Sequence, residues 1–228
     1  MGITTMNEAV VLCQTLRLAS PALPIGAYSY SQGLESAVAK GWVADESTAR
    51  DWIEGLLTLA VARLDLPLLC RLRAALEVHD HARLVFWSHY LRACREAREL
   101  ADEDRALGTG LLRLLGDEPW ARHAAAADVL LSLPLGFAAA SLAWGLSEQA
   151  GLTAYAWSWL ENQVAAAMKS VPLGQSAGQR LLSAMLAPLA RAVACAPEIA
   201  DDELGALAPG FAIACAHHET QYTRLFRS

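Results

Sequence analysis

The stretch VPLGQSAGQRLLSAMLAPLARAV, residues 171–193, supports two readings that lead to different folds. Gly174, Ser176 and Gly178 fit the Gly-x-Ser-x-Gly elbow of serine hydrolases, and Asp201 or Asp202 and then His217 or His218 follow in Ser–Asp–His order. That elbow needs a strand in front of it, because the sharp strand-to-helix turn is what exposes the hydroxyl. Here a helical pattern stopped by Val171 and Pro172 comes first, and the chain lacks the alternating strands of an α/β-hydrolase sheet. The other reading places Leu181, Leu182, Met185, Leu186, Leu189 and Val193 on one face of a long amphipathic helix. Gly174 and Gly178 then serve close helix packing, and Pro188 predicts a kink or break. We take the helical reading, with a hydrolase using Ser176 as the alternative.

Composition agrees. Ala and Leu abound while β-branched residues are sparse, which favours helices. The expected fold is all-α: a single-domain multi-helix bundle over residues 1–210, with an irregular Pro/Gly-rich N-terminal loop and a docking tail over 211–228. With 18 basic and 24 acidic residues the net charge is −6, so there is no global basic footprint for nucleic acid. The 5 cysteines (Cys13, Cys70, Cys94, Cys195, Cys215) form no Cys-x-x-Cys pair and suggest reduced thiols in a cytoplasmic protein. No basic region followed by an apolar one marks a signal peptide. Val129–Ser147 is charge-free and about as long as a bilayer span, but Pro134, Gly136 and Gly145 interrupt it; a buried central helix explains it better. No phosphate-binding glycine loop is present, so any nucleotide would be held by another subunit.

Punctuation along the chain divides it into helices. Thr5 and Glu8 have capping-box form ahead of a helix ending near Leu18. Tyr30, Leu34, Ala37 and Val38 share helical spacing, closed by Lys40 and Gly41. Asp45 or Ser47 caps the next helix, Asp65 and Pro67 restart the chain, and Asp80 caps a helix carrying Leu84, Trp87 and Leu91. Arg95–Asp104 reads as a solvated helix face, with Arg95–Glu99 and Arg98–Asp102 at i, i+4. A further helix ends at Gly116, Ser147–Ala150 is one turn closed by Gly151, and Leu152–Lys169 is helical.

Two stretches stand out from this plan. Ser20–Glu35 contains Pro21, Pro24, Gly26 and Gly33, yet also Leu23, Ile25, Tyr28 and Tyr30, more apolar surface than a solvated loop carries. The tail Phe211–Ser228 ends with Tyr222, Arg224, Leu225, Phe226 and Arg227, residue types that dominate interface hot spots. Such a tail frays unless it docks, on its own domain or on a partner. We expect loop and tail to pack together, with Tyr28 or Tyr30 against Tyr222, Arg224 and Phe226. Cys215, His217, His218 and Glu219 gather metal-ligating types, but adjacent histidines diverge on a helix; no stable preformed metal site and no cofactor are expected. His79 and His81 flank Asp80 in an exposed connection.

Several blocks also resemble a known family, the urease accessory protein UreF. They are the Ser20–Glu35 loop, Arg95–Leu100 through Gly108, Lys169–Gln175 through Gly178 and Gln179, and His218–Ser228, in family order. The resemblance implies an all-α, dimeric, non-enzymatic assembly factor. It would bind the scaffold UreD (also called UreH), the GTPase UreG and apo-urease, and serve nickel incorporation into the urease active site. Carried over position by position, the partner-binding candidates are Pro21, Leu23, Pro24, Gly26, Tyr28, Ser29, Tyr30, Gln32, Glu35, Lys169, His218, Glu219, Tyr222, Arg224, Leu225, Phe226 and Arg227.

Overall fold

A computed structural model describes residues 7–228. Helix α1 (Glu8–Ala19) begins at Asn7, whose side chain accepts from the Ala9 N–H; Thr5 of the expected capping box lies outside the described residues. The loop crosses to α2 (Leu34–Ala39), which starts later than the Tyr30 spacing suggests because Gln32 and Gly33 are both left-handed. Asp45 caps α3 (Glu46–Leu56) in a reciprocal box with Thr48.

The expected restart at Asp65 does not occur. A π-helical stretch, Leu57–Asp65, joins α3 directly to α4 (Leu66–Glu77), so Asp65 is buried inside a continuous helix rather than capping a new one. Pro67 fits because the wider π turn already forgoes an α-type bond there. Asp80 caps α5 (His81–Ala93) through the Arg83 N–H. Helix α6 (Arg98–Leu115) ends at left-handed Gly116, and α7 (Pro119–Ala124) is short.

Of Val129–Ser147 only α8 (Leu133–Ala143) is helical, capped by Ser132; its 11 residues fall short of a bilayer span and most are buried. Helix α9 (Glu148–Ser170) runs straight through Gly151, which was expected to end a turn. A Cβ there would sit 3.1 Å from Ser141 Cβ, so the missing side chain serves the approach of α8. Helix α10 (Gln175–Cys195) continues past Pro188, and α11 (Pro209–His218) carries Pro209 in its first turn, where a proline costs no hydrogen bond. By length and composition the helix over Gln175–Glu198 could cross a membrane, but it packs along α9 and the π stretch.

No strand occurs among the described residues, and the fold is all-α. Helices α4, α6 and α9 surround α8, whose Phe137, Ala138, Ala139 and Ala140 are fully buried. One continuous apolar core takes in residues from α1 to Phe226 of the tail.

The charged run is not a solvated face. Arg95 lies ahead of α6, its side chain 14% exposed between Asp65 and Asp104, with its Nε 2.6 Å from Asp104 Oδ2. Glu103 and Asp104 are buried, while Arg98–Asp102 is the exposed i, i+4 pair expected, at 3.6 Å. Arg95 pairs across the fold because the π turn aims Asp65 at it. Burial, joined by the negative charge of Asp104, pushes Asp65 up against the pull of the guanidinium.

Candidate functional site

Loop and tail meet, but polar groups rather than aromatic rings join them. Glu35 on α2 accepts the Leu225 N–H at Oε1 (2.6 Å) and the Phe226 N–H at Oε2 (2.9 Å). Its Oε2 also faces His218 Nε2 at 3.3 Å, while His218 Nδ1 faces Glu99 Oε2 at 2.6 Å. The ring is fully buried, with one carboxylate at each of its nitrogens. Glu99 Oε1 accepts from Arg224 Nη1 at 2.6 Å.

Main-chain bonds fasten the end of the tail. The Arg227 N–H donates to Ser29 O (2.8 Å) and the Ser31 N–H to Ser228 O (2.9 Å). The Ser228 hydroxyl donates to Glu103 Oε2 (2.7 Å), and Gln32 Nε2 to Glu103 Oε1 (2.8 Å). Burial pushes the Glu103 carboxyl up to about 7, although these two donors pull the other way. Behind Gln32, Trp159 Nε1 donates to its Oε1 at 2.8 Å, and Asn162 Nδ2 to Tyr30 O at 2.9 Å. Glu219 reaches α6, accepting the Arg98 N–H (2.7 Å) and Glu99 N–H (3.3 Å), so the tail caps a helix whose own N-cap, Ala97, cannot. Gly33 permits all this: a Cβ there would lie 2.9 Å from Cys215 Sγ on α11.

The expected residues therefore divide. Tyr30, His218 and Phe226 are buried, and Lys169 Nζ sits 5.5 Å from the Phe226 ring centre. Gln32, Glu35, Ser29 and Glu219 are half-buried in the network. Tyr28, Tyr222, Leu225, Arg227, Pro21 and Pro24 are exposed, and Arg224 shows its edge beyond its bond to Glu99. Tyr222 is fully exposed, so it does not pack on the loop tyrosines as expected. Leu23 and Gly26 line the half-buried part of the loop beside an apolar cleft of about 250 Å³ between Pro21, Leu23, Ile25 and Tyr28 and the α9 and α10 side chains Met168 and Leu182.

Sequence reasoning missed Ser31, Glu99, Glu103, Trp159 and Ser228 as members of the network. Glu99 and Glu103 lie at i, i+4 and so share one face of α6, the one signal available.

The geometry gives no support to the hydrolase alternative or to a metal site at the tail. Ser176 sits in the exposed first turn of α10, entered from helix α9 rather than a strand, and His218 is committed to Glu35 and Glu99. Cys215 is buried, and burial with Glu103, Glu99 and Glu219 nearby pushes its thiol well above the ordinary value. Cys215, His217, His218 and Glu219 do not converge as a metal site.

Comparison with known proteins places these features. The sequence model of the family UreF matches residues 43–186. A urease accessory protein UreF from Azoarcus sp. is 47% identical over 238 positions, covering 100% of both chains. One from Alkalilimnicola ehrlichii is 45% identical over 231 positions, covering 99% of each. A bifunctional urease accessory protein UreEF from Bordetella bronchiseptica is 45% identical over 100% of this chain and 54% of its own length.

Proposed function

The chain belongs to the UreF family of urease accessory proteins, and from that premise we propose that it is a non-enzymatic, cytoplasmic, homodimeric assembly factor for nickel incorporation into urease. In this reading it binds UreD (UreH), the GTPase UreG and apo-urease, and 211–228 acts as its docking tail. One observation carries the reading. The tail is fastened by residues that hide their own polar groups, while Tyr28, Tyr222, Leu225 and Arg227 are left outward beside it. Large apolar side chains exposed on a rigid base are what a partner surface needs, since little ordering entropy remains to be lost on binding. The network around Glu35 would then act as a scaffold, not as a reaction centre.

The experiment is a pull-down with UreD and UreG, paired with a urease activation assay, on Tyr222→Ala/Leu225→Ala. These side chains are exposed, so helical content should stay unchanged while capture and activation fall. Deleting His218–Ser228 should abolish both. Unchanged capture and activation in the two variants would sink the tail's role.

A further inference from the structure

Apart from loop and tail, the α4–α5 turn and α7 bring histidines from separate parts of the chain onto one surface patch. His79 Nδ1 and His123 Nδ1 face each other at 3.4 Å, with ring centres 5.5 Å apart. Trp120 stacks on His79 at 5.3 Å, and His81 lies beside His123 with ring centres 5.8 Å apart. His81 Nε2 is 2.9 Å from Asp128 Oδ2, and His89 Nε2 donates to Asp128 O at 3.1 Å.

The backbone under His79 is unusual. It closes α4 in a left-handed conformation (φ 54°), its N–H returning to Leu76 O and that of Asp80 to Ala75 O. This is the helix-ending position that glycine fills without steric cost. A ring held there, flanked by Trp120 and His123, has its direction fixed by both backbone and packing.

We propose that His79 and His123 form a binding site for a borderline divalent transition-metal cation such as Ni²⁺ or Zn²⁺, with His81 as a third imidazole. Imidazole nitrogens bind such ions at about 2.0–2.1 Å, so two of them at a tetrahedral angle stand roughly 3.3 Å apart. The observed separation of 3.4 Å matches. With its Nε2–H donated to Asp128, His81 keeps a lone pair on Nδ1, the carboxylate–histidine arrangement that orients metal ligands. Among the described residues no three such side chains already converge on one point. The site as it stands is a two-nitrogen chelate completed by water, and His81 joins by turning its ring. Nitrogen ligands select borderline ions over Mg²⁺ or Ca²⁺, which take oxygen.

Equilibrium dialysis of the tag-free full-length chain against Ni²⁺, with Co²⁺ absorption as a geometry probe, tests this. The expected result is one saturable ion per chain, not displaced by Mg²⁺. His79→Gly, which keeps the turn, and His123→Ala should each weaken binding at least about tenfold, and Asp128→Asn about tenfold. His217→Ala, an exposed histidine on α11, should leave it unchanged. No saturable binding, unchanged affinity in His79→Gly and His123→Ala, or an equal loss in His217→Ala would overturn the proposal.

Discussion

Between Pro21 and Tyr28 the loop bonds to itself: Ala22 N–H to Ser20 Oγ, Leu23 N–H to Ser20 O and Ile25 N–H to Leu23 O. Between Ser29 and Glu35 it bonds outward, to the tail, to α9 and, through Glu103, to α6. The first half shows apolar surface and borders a cleft; the second buries polar atoms and satisfies them. The same punctuated stretch thus does two jobs. Buried polar groups are costly unless paired, so the second half holds one geometry, while the first gives up little by exposing Tyr28.

The largest test of this contrast is Phe226→Ala. Phe226 is 6% exposed, so truncation should cost about 3–5 kcal/mol in denaturant melts and free the amide of Leu225 for hydrogen exchange. Next comes pH. Glu103 is raised from 4.5 to about 7, so the native state holds its proton more tightly than the unfolded chain. The stabilisation is full below about pH 4.5 and is lost as pH rises through 7, on the order of 3 kcal/mol. Glu103→Gln should flatten that fall in thermal melts across pH 4.5–8.

A smaller effect is expected from Gly33→Ala. The left-handed φ of 73° and the contact with Cys215 should together cost about 2 kcal/mol, read from the unfolding midpoint. Tyr28→Ser should change stability by less than about 0.5 kcal/mol while weakening capture of UreD or UreG. A Tyr28→Ser variant as destabilised as Phe226→Ala would erase the distinction between the two halves.

The residues that announce themselves locally were legible in the sequence. Asp45 and Asp80 cap helices, Gly116 ends one, and Leu181, Met185, Leu189 and Val193 form the buried face of α10, although Leu186, expected with them, is 52% exposed. The family blocks were legible as well. Long-range pairing was not: nothing local distinguishes Arg95, which seeks Asp65 and Asp104, from Arg98, which stays on the surface. Gly151 misled for a related reason, since its lack of a side chain answers Ser141 across a helix interface rather than a turn. Loop and tail were expected to meet through tyrosines because aromatic residues are conspicuous, whereas Glu35 and the backbone form the join.

The π stretch Leu57–Asp65 carries a residue to spare. Its closing bond, from the Leu66 N–H to Val61 O, spans one residue more than an α turn. Deleting one residue early in the stretch would let the helix wind as ordinary α with what lies beyond nearly in phase, so that Asp65 stays beside Arg95. The same deletion in an ordinary α turn would rotate everything beyond by about 100°. The loss of one residue should therefore be tolerated better at the start of this stretch than in the α turns on either side of it.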